Sequence, residues 1–104
     1  MSQDVARLFA QTRPLLIALG DERRQDVIVF LLESAAPRSV GDIAARLGLS
    51  QPATSHHLKI LRDAGLLTVR RNGAQRLYEL NAAAYPELLV PLRDLAETII
   101  TCAH

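Results

Sequence analysis

Apolar residues recur at helical spacing from the start of the chain. Val5, Leu8, Phe9, Leu16 and Leu19 predict an amphipathic helix over about residues 4–19. Pro14 should bend or split it, because an interior proline removes an amide donor and crowds the preceding turn. Gly20-Asp21 interrupts the pattern, and the Asp21 carboxylate can accept from the orphan amides of a following helix. The next apolar residues, Val27, Ile28, Phe30, Leu31 and Leu32, are nearly continuous and predict a central, mostly buried helix reaching about Ser34. Ala36-Pro37-Arg38 breaks the chain. Ser39-Val40-Gly41-Asp42 then has capping-box form with Asp in place of the commoner Glu. The short helix behind it places Val40, Ile43, Ala44 and Leu47 on one face, and Gly48 closes it.

The stretch from Ser50 to Leu67 carries most of the information. Ser50 is a natural N-cap, and Pro52 falls in the first turn, where a missing amide proton costs little. Leu58 and Leu61, with Thr54 one turn back, share the inward side, and Ile60 lies near its border. Gln51, Ser55, His56, Lys59 and Arg62 are left pointing outward. Two helices joined by about three residues, the second polar on its outer face, make a helix-turn-helix over about 40–64. Gly65 stops the second helix. Leu66 to Arg71 and Gln75 to Leu80 read as strands, with Asn72-Gly73 as the turn signal of a hairpin over about 66–80. A last helix runs from about 82 to 102, with Pro86 in its first turn and Pro91 as a bend.

The expected fold is therefore mainly α with a small β-hairpin wing. It is a winged helix-turn-helix, one domain over residues 1–104, dimeric through terminal helices at about 4–19 and 82–102. The dimer expectation comes from Leu88, Leu92, Leu95, Ile99 and Cys102. Their spacings of 4, 3, 4 and 3 draw one narrow apolar seam along the last helix. The same helix of a second copy is the favoured cover, and the alternative is packing against the chain's own first helices.

Composition narrows the function. Hydrophobic residues are 49% of the 104 and aromatics only 4%, which gives one modest, aliphatic core. No apolar run approaches the roughly 20 residues of a membrane span, and the early Asp4 and Arg13-Pro14 do not read as a secretory signal. A single cysteine, Cys102, cannot make an internal disulfide, so a reducing cytoplasm is the expected setting. The net charge of +1 hides an asymmetry. Between Arg46 and Arg76 six cations face only Asp63, a local charge of +5, and the remainder carries −4. A cationic segment on an acidic body is the footprint of a polyanion-binding face, and a merely solvated basic surface is the alternative.

Within that segment, Ser50, Gln51, Thr54, Ser55 and His56 are candidates for contacts in the groove of double-stranded DNA, because amides and hydroxyls match base edges and phosphates. Capping competes for Ser50 and Thr54. His57 joins the set with packing as an equal alternative, since it lies one position further round the helix. Lys59, Arg62, Arg70, Arg71 and Arg76 are assigned to phosphates, with one wing arginine entering the minor groove. An Arg62–Asp63 pair competes weakly. No metal site is expected at His56-His57, because adjacent helical residues diverge by about 100°. Cys102 and His104, near a dimer axis, could supply four ligands or an intersubunit disulfide; otherwise they are a seam residue and a frayed tail. No cofactor is expected. Nor is an enzyme: there is no Gly-rich phosphate loop and no nucleophile elbow.

The string Leu49-Ser50-Gln51-Pro52-Ala53-Thr54-Ser55-His56-His57-Leu58-Lys59-Ile60-Leu61-Arg62-Asp63-Ala64-Gly65-Leu66-Leu67, followed by Arg70-Arg71-Asn72-Gly73 and Leu77-Tyr78-Glu79-Leu80, resembles the ArsR/SmtB family of bacterial winged-helix repressors. Leu19-Gly20-Asp21-Glu22-Arg23-Arg24 is similar to that family's turn into its second helix. The resemblance spans roughly residues 15–100. It implies a homodimeric repressor that sits on an imperfectly palindromic operator and leaves when a signal arrives. It also implies where metal sensors of the family hold their ions, and this chain departs there. Ser39-Val40-Gly41 stands in place of a Cys-x-Cys pair, and Ile60 and Ala64 stand in place of recognition-helix cysteines. Ala82-Ala83-Ala84, Leu95 and Thr98 stand where Asp and His pairs occur on the last helix. The inducer is unidentified. Two other readings are a thiol-responsive repressor acting through Cys102 and a winged-helix protein-interaction module that does not bind DNA.

Overall fold

The computed structural model describes residues 2–103. Five α-helices and three short strands follow one another: α1 Ser2–Leu19, α2 Glu22–Glu33, β1 Arg38–Ser39, α3 Val40–Leu47, α4 Gln51–Asp63, β2 Leu67–Asn72, β3 Gln75–Leu80 and, after a 3-10 turn at Ala82–Ala84, α5 Tyr85–Cys102. The caps set these boundaries. Asp21 accepts from the amides of Arg23 and Arg24, Ser39 and Asp42 close a reciprocal capping box, and Ser50 accepts from the Ala53 amide. Gly48 leaves α3 in the left-handed conformation at φ 70°, which opens the three-residue turn into α4.

α1 and α5 pack along each other, and α2, α3 and α4 surround a core of Val27, Leu31, Ile43, Leu58, Leu61, Leu66, Leu67 and Tyr78, joined from α1 by Leu15 and Ala18. Three expectations change here. α1 runs unbroken through Pro14, because the carbonyl that Pro14 leaves without a donor belongs to exposed Ala10, where water can reach it. Its buried stripe is also rotated: Thr12, Leu15 and Ala18 face inward while Phe9 and Leu16 stay exposed. Thr12 can be buried because its hydroxyl donates back to the Leu8 and Phe9 carbonyls. α2 is less buried than its composition suggests. Val27 and Leu31 are inside, but Leu32 is 71% exposed and Val29 also faces out.

The sheet has the order β1-β3-β2, all antiparallel, so the wing gains a short third strand that the break at Pro37-Arg38 concealed. In the hairpin Asn72 pairs with Gln75, which places the turn at Gly73-Ala74, one residue beyond the Asn-Gly signal. Gly73 has φ +65° and Ala74 does not share a positive φ, the pattern that favours Gly first in a II′ turn. At the base of the wing, the Leu66 carbonyl accepts from both the Asn81 amide and the Tyr85 hydroxyl, each at 3.0 Å. Asn81 also donates its side-chain amide to the Gly65 carbonyl at 3.0 Å. Burial raises the Tyr85 phenol above its ordinary range, so it remains a donor.

Gly65 sits at that junction with φ +84°, and a Cβ placed there would lie 3.3 Å from Leu88. Gly65→Ala should cost about 1–2 kcal/mol from the left-handed backbone alone. In thermal unfolding that appears as a fall of about 4–8 °C for each kcal/mol, and an unchanged midpoint would refute the strain argument.

Candidate nucleic-acid interface

α4 turns a polar ridge to solvent because its apolar residues are spent inward. Leu58 and Leu61 are fully buried, while Gln51, Ser55, His56 and Lys59 are exposed and Arg62 is partly so. Beside this ridge runs the hairpin. Ser55, Lys59 and Arg62 from α4 meet Arg76 and Tyr78 from β3, with Val40 at the rim, around an open cleft of about 320 Å³. Three of the six residues are cations, and they come from two elements separated by a turn and a strand. The fold thus gathers part of the dispersed basic sequence into one concave face.

The charges in and around this face are weakly committed. Lys59 pairs with Asp63 at 2.9 Å, so the acid that could have competed for Arg62 is engaged elsewhere, and Arg70 lies 3.8 Å from Glu79. All four partners are substantially exposed, so each pair contributes at most about 1 kcal/mol and yields readily to a phosphate. Arg71 and Arg76 are directly opposite one another across the hairpin, exposed, and without an ion pair among the described residues. Like charges in cross-strand register destabilise a hairpin unless an anion sits between them.

Two of the groove candidates leave the set. Thr54 is fully buried, and its hydroxyl donates to the Ser50 carbonyl at 2.8 Å, so it cannot reach a base edge. His57 turns toward α2 with its side chain only 16% exposed, its Nδ1 lying 3.2 Å from Arg24 Nη1 and 4.0 Å from Asp21 Oδ1. Its ring is tilted from that of His56, with centroids 5.9 Å apart, so the two imidazoles point different ways. Ser50 is exposed but its hydroxyl is occupied as the N-cap acceptor, at 3.2 Å from the Ala53 amide. The Asp21–Arg24–His57 cluster was invisible in the sequence: Asp21 reads there as a helix cap and Arg24 as one surface cation among twelve.

The seam on α5 also resolves differently along its length. Leu88 and Leu92 pack on the chain's own core and Leu95 is 4% exposed, covered by α1. Only Ile99 and Cys102, toward the end, remain exposed. The uncovered apolar surface of the paired terminal helices is Phe9, Leu16 and Ile17 on α1 with Leu89, Val90, Ile99 and Ile100 on α5. His104 lies outside the described residues.

Comparison with known proteins gives one answer. A family model described as "Bacterial regulatory protein, arsR family" matches residues 21–69. The transcriptional activator HlyU of Vibrio cholerae is 33% identical over 93 residues, 89% of this chain and 84% of that protein. The arsenical resistance operon repressor of Staphylococcus xylosus is 33% identical over 70% of this chain and 68% of its own length. Among solved structures, a homodimeric winged helix-turn-helix DNA-binding domain from Mycobacterium bovis superposes with a TM-score of 0.69 at 26% identity, covering 88% of this chain and 83% of that one.

Proposed function

Because the chain belongs to the ArsR family of bacterial regulatory proteins, a family of winged helix-turn-helix transcriptional regulators, we propose that it is a homodimeric repressor in the bacterial cytoplasm, released from an operator by a signal. The observation that carries the reading is the cleft where Ser55, Lys59 and Arg62 of α4 meet Arg76 of the wing. Gln51, Ser55 and His56 read base edges in the major groove. Lys59, Arg62, Arg70, Arg71 and Arg76 hold phosphates on either side, with a wing arginine reaching the minor groove. The terminal helices form the dimer through their outer apolar surfaces, chiefly Phe9, Leu16, Ile17, Leu89, Ile99 and Ile100. Homodimeric assembly of the Mycobacterium bovis neighbour supports that arrangement. Two α4 helices then enter successive major grooves roughly 34 Å apart, which calls for an imperfect palindrome.

Titration of the protein against the DNA upstream of its own gene tests this, with sedimentation to read the stoichiometry. Five phosphate-binding cations per subunit predict a steep salt dependence, with log affinity falling against log salt at about 0.9 for each contact. A salt-insensitive complex, or one protomer per operator, would sink the proposal.

A further inference from the structure

Arg24 joins three elements. From α2 its Nε donates to the Ala18 carbonyl at 2.7 Å and its Nη2 to the Ile17 carbonyl at 2.9 Å, both in the last turn of α1, where Ile17 also accepts from the Gly20 amide. Its Nη1 lies 3.2 Å from Nδ1 of His57 in α4. A guanidinium can only donate, so a hydrogen bond at this contact requires a lone pair on Nδ1, which the neutral Nε2–H imidazole supplies. Asp21 Oδ1 stands 4.0 Å from the same Nδ1. That carboxylate is already the N-cap acceptor, and the Arg24 amide foremost, then the Arg23 amide, holds its carboxyl below the usual range against the opposing effect of burial. It therefore stays an anion in mild acid. The charged or titratable groups facing His57 are Asp21 and Arg24 from the start of α2 and His56 from its own helix, while α1 contributes only carbonyls to the Arg24 end of the network.

We infer that Arg24 and His57 are positioning residues for the reading helix, coupling DNA affinity to one proton: the Arg24–His57 contact exists only while the imidazole is neutral, and it fixes α4 to the end of α1 in the orientation that engages DNA. The inference rests on the DNA-binding function proposed above. Protonation would set an N–H against a guanidinium N–H and bring two like charges together at that distance. The contact then opens and the imidazolium turns to Asp21. His57 lies between Ser55-His56 and Lys59 in the chain, so its displacement moves the groove-facing side chains on either side of it.

The test is affinity for the upstream DNA at about pH 8 and about pH 5.5, at constant ionic strength. Excluding one proton from the bound form makes binding weaken on acidification, by at most about tenfold per pH unit, and a loss of about tenfold is expected across this range. A histidine acting only as surface charge gives the opposite sign, because added positive charge tightens DNA binding. His57→Asn keeps an acceptor near the δ position and cannot become charged. It should match the parent at the higher pH and lose the acid sensitivity. Parent affinity that is flat or rises on acidification, or an Asn variant that loses the same tenfold, overturns the inference. Imidazole ¹⁵N NMR of the DNA-free protein judges the contact separately. An Nε2–H tautomer at about pH 8 supports it, and an Nδ1–H tautomer or an imidazolium overturns it. Failure of the parent to bind DNA at either pH would remove the regulator proposal instead, with the tautomer still deciding whether the contact exists.

Discussion

Replacing Arg71 and Arg76 together by alanine should weaken operator binding by about two orders of magnitude for each wing engaged while leaving the fold intact. The two guanidinium groups are exposed, directly opposed across the hairpin and unpaired with any acid among the described residues. In the free protein they repel one another, so their removal relaxes the wing rather than destabilising it. In the complex each supplies a charge-assisted contact worth about 1.5 kcal/mol or more, and the two of one wing together give roughly a hundredfold in affinity. The diagnostic is the salt dependence. Loss of two phosphate contacts per subunit should lower the slope of log affinity against log salt by about two for each wing. The loss should also be similar on operator and random DNA, since phosphates carry no sequence. An unchanged slope would take the wing out of the interface.

Leu58→Ala should cost about 2–5 kcal/mol of stability, the largest single effect expected in the molecule. Leu58 is fully buried on the inner side of α4, in the cluster with Leu61, Ile43 and Val27. Truncation removes three carbon atoms from a dense site and leaves a cavity under the helix that the backbone cannot collapse to fill. At about 4–8 °C per kcal/mol the midpoint of thermal unfolding should fall by more than about 10 °C. Thr54→Val, also on the buried side, provides the contrast. Its hydroxyl bonds only within its own helix, and the Ser50 carbonyl it would release also accepts from the Thr54 amide. Stability should change by less than about 1.5 kcal/mol and DNA affinity by little. A large specific loss of binding in Thr54→Val would restore that residue to the groove.

The helix-turn-helix was readable in the sequence because its signals are local. Ser39 and Asp42 are three residues apart, Gly48 and Ser50 bracket one turn, and Thr54, Leu58 and Leu61 repeat at helical spacing. The sequence is silent where a distant contact or a hidden hydrogen bond decides. Thr12 passes as polar until its hydroxyl is seen bonded to Leu8 and Phe9, and that bond rotates the buried face of α1. The seam from Leu88 to Leu95 has the spacing of a dimer helix, and spacing cannot tell whether the covering helix belongs to the same chain. β1 is two residues long and exists only because β3 lies beside it. Arg24 meets His57 across 33 positions of sequence, which no periodicity reports.

The doubly used carbonyl of Leu66 has a mechanical result. Where the wing meets α5, Asn81 and Tyr85 both donate to that one oxygen, which braces the joint. The end of α4, the wing and the start of α5 are therefore tied together within each protomer. In the proposed dimer the two heads are the jaws of a caliper whose gap is set where the protomers meet and by how α4 is held against α1. Evolution of such an operator is constrained by the number of base pairs between its halves as strictly as by their letters.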